Sequence, residues 1–160
     1  MLPFQRMRRL CPYKPQVKKG NVEAHHQQKV PQYVGNPGWV LLTHSEEGKP
    51  IAMFVDKHDK PVLLPIILDE RMFSDTVLRV IQMKPGVYMA CDIRYLNGIC
   101  VYEKMNYIDR RTLLKKLLQE FHTTELTALL TAPPYDALLH GFEYYDDQPG
   151  TLGVFLPARE

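Results

Sequence analysis

Cysteine is scarce in this chain, tryptophan occurs once, and no long apolar run is present. Three cysteines in 160 residues make no disulfide framework, and no pair has Cys-x-x-Cys spacing. If Asn97-Gly98 forms a two-residue hairpin turn, Tyr95 faces Cys100, and Cys91 lies about 13 Å along its strand, beyond disulfide reach. Reduced thiols follow, with a cytoplasmic or nuclear setting, or the interior of a virion, and no secretion. No stretch approaches the roughly 18–20 apolar residues of a membrane span, so no membrane partner is expected. The first residues lack the apolar core and cleavage site of a secretory signal. Pro3, Pro12 and Pro15 interrupt the helix that a mitochondrial presequence needs. There is no glycine-rich phosphate loop and no nucleophile elbow. His25 and His26, with Cys11 and His44, have no metal-ligand spacing and read as scattered surface histidines, so neither metal nor cofactor is expected. The acid pairs Glu46-Glu47 and Asp146-Asp147 read as solvated turn residues.

What is present suits one soluble domain: 45% hydrophobic and 24% charged residues, in a length sufficient for a single core. The net charge of +2 hides an asymmetry. In residues 1–30, Arg6, Arg8, Arg9, Lys14, Lys18, Lys19 and Lys29 stand against Glu23 alone, so the remainder is net acidic. Residues 1–37 have no sustained period and read as an extended basic arm. The arm serves either to dock on an anionic partner or to solubilise the terminus.

Residues 38–160 read as the body. Trp39–Thr43 and Ile51–Val55 are predicted paired strands, Val62–Leu68 a further strand that Pro65 confines to an edge or bulge, and 69–74 a short helix. Thr76–Met83 is predicted as a strand, then a hairpin pairs 87–96 with 99–104 across Asn97-Gly98. Asp109 is expected to cap a helix whose Leu113, Leu114, Leu117, Leu118 and Phe121 form one stripe. Glu125–Leu130 is read as helical, 135–142 is ambiguous, and Gly153–Leu156 is a closing strand. The class expected is α+β, mostly antiparallel sheets with inserted helices.

Simple alternation along the strand 87–96 puts Cys91, Ile93 and Tyr95 on one face and Ala90, Asp92, Arg94 and Leu96 on the other. The hairpin register sets Asp92 opposite Glu103, a like-charge pair that Arg94 would relieve. A surface charge ladder is the alternative. Tyr135, Phe142, Tyr144 and Tyr145 fit either base stacking or core packing.

The segment Tyr88 to Gly98, with an Asp and an aromatic on an apolar strand before Asn-Gly, resembles an internal motif of the covalent nucleotidyltransferases: DNA and RNA ligases and mRNA capping guanylyltransferases. Asp109 to Leu114 matches the helix start that follows that motif, and Gly150 to Pro157 resembles a late capping-enzyme segment. The resemblance implies a nucleotidyltransferase fold of the ligase and capping type over residues 38–160, without an OB domain. It departs where the chemistry should be. The family's nucleophilic lysine in Lys-x-Asp-Gly is met by Ser45-Glu46-Glu47-Gly48, and there is no acid within Thr76 to Ile81, where a metal-binding segment would fall. The resemblance therefore implies a non-catalytic relative of the snurportin type. Such a relative would hold RNA, a cap or a nucleotide end through Lys49, Asp92 and Arg94, with Arg6, Arg8, Arg9, Lys14, Lys18 and Lys19 on phosphates. The alternative is a structural subunit of a virion shell or ribonucleoprotein, with the arm docked on neighbouring protein subunits.

Overall fold

The computed structural model describes residues 3–11, 17–58, 60–65, 70–119 and 127–158. The elements run α1 (Pro3–Leu10), β1 (Val17–Lys19), β2 (Gln28–Tyr33), β3 (Asn36–His44), β4 (Pro50–Asp56) and β5 (Val62–Leu64). A 3-10 turn at Glu70–Met72 leads to β6 (Thr76–Lys84), β7 (Val87–Leu96), β8 (Ile99–Cys100), α2 (Val101–Lys104) and α3 (Tyr107–Leu118). The chain closes with β9 (Ala128–Leu130), β10 (Leu139–Tyr145) and β11 (Gly153–Pro157). The first sheet has the order β5-β4-β3-β6-β7-β8, with β9 parallel to β7, and the second has the order β1-β11-β10-β2. Among the described residues strand accounts for 47% and helix for 17%, in three short helices. The expected α+β nucleotidyltransferase fold is thereby corrected: the architecture is all-β-like, two sheets with short helices against them. Among the described residues no helix is long and apolar enough to cross a membrane.

The apolar strands of the first sheet form where alternation and turn chemistry point. Thr43 pairs with Ile51 and Trp39 with Val55, and β5 is an edge strand ending just before Pro65. Residues 66–68 of that expected strand lie outside the described residues. Asn97 and Gly98 take φ of 49° and 84°, and Tyr95 pairs with Cys100 as the hairpin register requires. Asn97 does more than turn the chain. Its side chain donates to the Arg71 carbonyl at 2.7 Å and accepts from the Ser74 N–H at 3.2 Å.

Beyond Cys100 the expected strand is instead α2, and Glu103 does not face Asp92. The reason is electrostatic as well as steric. A continued strand would have opposed two carboxylates, whereas Asp92 is paired across β6 with Arg79 and is neutralised by Arg110 of α3. The cap of α3 is Asn106, which accepts the Asp109 N–H at 3.0 Å, so Asp109 is capped rather than capping. Leu114 and Leu118 bury against Val40, Leu78, Val80 and Ile93 on one face of the first sheet. Phe121 and residues 125–126 lie outside the described residues, while 128–130, read as helix, is a strand beside Val87–Met89.

Two bulges in β7 overturn simple alternation. Val80 pairs with Ala90 but Arg79 with Asp92, and Leu78 pairs with Ile93 but Val77 with Tyr95. Each extra residue reverses the facing. Ile93 thus joins the α3-side core, Cys91 packs with Ile81 and Met89, and Tyr95 packs near Val77.

Residues 1–37 are not simply an extended arm. Proline is tolerated in the first helical turn, where its missing N–H has no partner to lose, so Pro3 begins α1 rather than preventing it. Leu10 and Cys11 then bury beside Trp39, Leu41, Met53 and Val55 on the other face of the first sheet. Arg6 holds the helix down, donating to the His44 carbonyl at 2.9 Å and to Asp75 at 3.4 Å. Strand β2 carries Pro31 without penalty because it is the edge of its sheet.

Candidate functional site

Residues of both sheets line a cleft of about 250 Å3. Its walls come from β1, β2, β10 and β11 of the second sheet, from β3 and β6 of the first, and from Gly35 between β2 and β3. The register slips between Leu139 and Gly141, so His140 is an unpaired bulge residue, and it lines the cleft. Its ring lies 4.9 Å from that of Phe155 at 28°. Gly141 permits this arrangement, since a Cβ there would stand 2.7 Å from the Phe155 ring. Tyr33, Val17 and Ile81 complete an apolar wall, with Lys18 and Lys19 contributed by β1.

The floor is a buried ion pair. Arg79 donates to both Glu143 oxygens at 2.9 and 2.6 Å, and the Tyr145 hydroxyl donates to Glu143 at 2.7 Å. Burial alone would lower the Arg79 pKa, but the Glu143 carboxylate overrides it and holds the guanidinium charged. Burial and the same carboxylate push the Tyr145 phenol up, so it stays a donor. Tyr145 also stacks on Tyr107, centroids 3.9 Å apart at 10°, and Tyr107 donates to the Cys91 carbonyl at 3.2 Å. The floor is therefore rigid and internally satisfied. One group of the lining is not: Gln32 is 3% exposed, and its Oε1 has no hydrogen-bond partner. A buried acceptor without a donor costs about 1–3 kcal/mol.

The site residues expected from sequence scatter. Lys49 sits on the exposed β3–β4 turn with its amine 4.0 Å from Glu47. Asp92 is 1% exposed and gives both oxygens to Arg110 at 2.8 and 3.1 Å, so it is a structural anion rather than a ligand. Arg94 lies over the Tyr102 ring at 5.2 Å. No contact among the described residues joins these three. Of the expected phosphate contacts, Arg6 is committed to docking α1, Arg8 and Arg9 are exposed on that helix, and Lys14 lies outside the described residues. Lys18 and Lys19 alone of this group line the cleft. Among the aromatics, Tyr145 is core and Tyr135 is fully exposed.

Gln32, Arg79, His140, Glu143 and Phe155 were missed. A usable signal existed for two of them. Arg79 and Glu143 each interrupt an apolar strand, and opposite charges in two such strands are candidates for pairing when sheets stack. Nothing local marks Gln32 or His140. In chemical terms the cleft offers cations and aromatic surface. Its carboxylate is already held by Arg79, which leaves it poorly placed to act as a general base. No protein-family model matches the chain, and no similar curated protein is found.

Proposed function

We propose that this chain is a non-catalytic binding domain whose inter-sheet cleft takes a nucleotide end, of RNA or free, within a larger assembly. The observation that carries this reading is a cleft that brings Lys18 and Lys19 together with the His140–Phe155 ring pair. A base supplies a flat π-face for His140 and Phe155. The lysines suit the attached phosphates. The volume is below the roughly 300–1,000 Å3 of a drug-sized pocket, which limits the cleft to about one nucleotide.

The test is fluorescence anisotropy with a short RNA, capped and uncapped, at two salt concentrations. We expect saturable binding that weakens about tenfold in a Lys18→Ala/Lys19→Ala double variant and that His140→Ala also weakens without changing the salt slope. Binding unaffected by either variant would remove the cleft from the account. A second reading, a structural subunit without a nucleotide ligand, is favoured by one feature. Val34, Leu138 and Leu139 are exposed close together, where the Val34 N–H meets the Leu138 carbonyl at 2.8 Å. Absence of all RNA and nucleotide binding would bring that reading forward.

A further inference from the structure

The opposite end of the second sheet brings together three residues that the sequence keeps far apart. Pairing of Tyr145 with Gln28 sets the lead-in of β2 beside the end of β10. His25, His26 and Asp146 meet there, each offering one ligand atom, all within 4.8 Å of one another. We propose that these three side chains form a divalent transition-metal site, of the zinc type, which staples the lead-in of edge strand β2 to the end of β10.

Two imidazoles and a carboxylate suit a borderline ion such as zinc, with solvent completing the coordination. Tetrahedral bonds of about 2.0–2.2 Å require donor atoms roughly 3.3–3.5 Å apart, so loading needs side-chain rotation rather than backbone movement. The carboxylate is already oriented. Asp146 Oδ1 accepts from the Gln148 N–H and the Thr151 hydroxyl, both at 2.8 Å, which leaves Oδ2 for the ion. The 23–26 turn is held as well, by the His26 N–H on the Glu23 carbonyl at 3.0 Å. His26 Nδ1 accepts the Glu23 N–H at 2.8 Å in the metal-free state. A neutral imidazole has a single lone pair, so coordination by His26 exchanges that hydrogen bond for a metal bond. An edge strand ending in a staple also presents a less open template for pairing with other chains.

The experiment is calorimetric titration of the untagged, chelator-treated full chain with zinc chloride. Wild type is compared with His25→Ala, Asp146→Asn and a distant control, His58→Ala. We expect one equivalent bound with micromolar affinity, at least about tenfold weaker in the first two variants and unchanged in the control. His25 is exposed, so its substitution tests the site even if Asp146→Asn loosens the turn. Zinc should also shift the Glu23 amide resonance, because the His26 lone pair leaves it. No saturable binding overturns the proposal, as does equal binding in all variants or bound zinc with an unmoved Glu23 amide. Nucleotide binding at the cleft stands or falls separately.

Discussion

Asp92 illustrates how a residue can be noticed correctly and interpreted wrongly. An acid on an apolar strand is conspicuous, and its isolation suggests a ligand waiting for it. Its ligand is internal: Arg110, 1% exposed, whose guanidinium also donates to the Met105 carbonyl at 2.8 Å and lies 4.9 Å from the Tyr102 ring centre. That partner could not be read from the sequence because Arg110 stands in a run of charged helix residues that look solvated. Removing one member of a buried pair strands the other. Asp92→Ala should therefore cost about 3–5 kcal/mol in urea unfolding, while Asp92→Leu with Arg110→Leu should recover much of that loss. A single variant as stable as wild type would mean that the pair is solvated after all.

At the scale of elements, strands were legible where one local rule dominated. Asn97-Gly98 fixed its turn because both positions need positive φ, and β3, β4 and β6 were found from apolar runs between turn residues. Elements stabilised mainly by distant contacts were missed. Helix α1 is short, basic and flanked by prolines, and isolated it would be marginal. Its stability comes from Leu10 and Cys11 covering the Trp39 face and from Arg6 on His44 and Asp75. Deleting residues 1–10 should thus lower stability by at least the roughly 1.5–3 kcal/mol of one buried leucine. It should also red-shift the emission of Trp39, the sole tryptophan. An unchanged spectrum and urea midpoint would show that the helix covers nothing that matters.

The whole molecule is two sheets joined through the Arg79–Glu143 pair and the Tyr107–Tyr145 stack, with Cys91 beside that junction. Burial pushes the Cys91 and Cys11 thiols up to about 12, leaving roughly one thiolate in ten thousand at pH 8. Cys100 is only half-buried. Alkylation of the native protein should therefore reach Cys100 first, Cys11 when α1 lifts, and Cys91 only on global opening, with the full urea dependence of unfolding. Early labelling of Cys91 would mean that the sheets separate independently.

The sequence by itself determined the globular composition, the thiol-poor framework, the Asn97-Gly98 hairpin and most strands of the first sheet, because each depends on composition, on neighbouring residues or on a short period. Tertiary structure alone decided the facing of β7, whose bulges depend on β6, and the fate of each buried charge. It also decided the joining of Gln32 to Lys18 and of His26 to Asp146. Such pairings are set by strand register and sheet packing, which bring together residues that no local pattern connects.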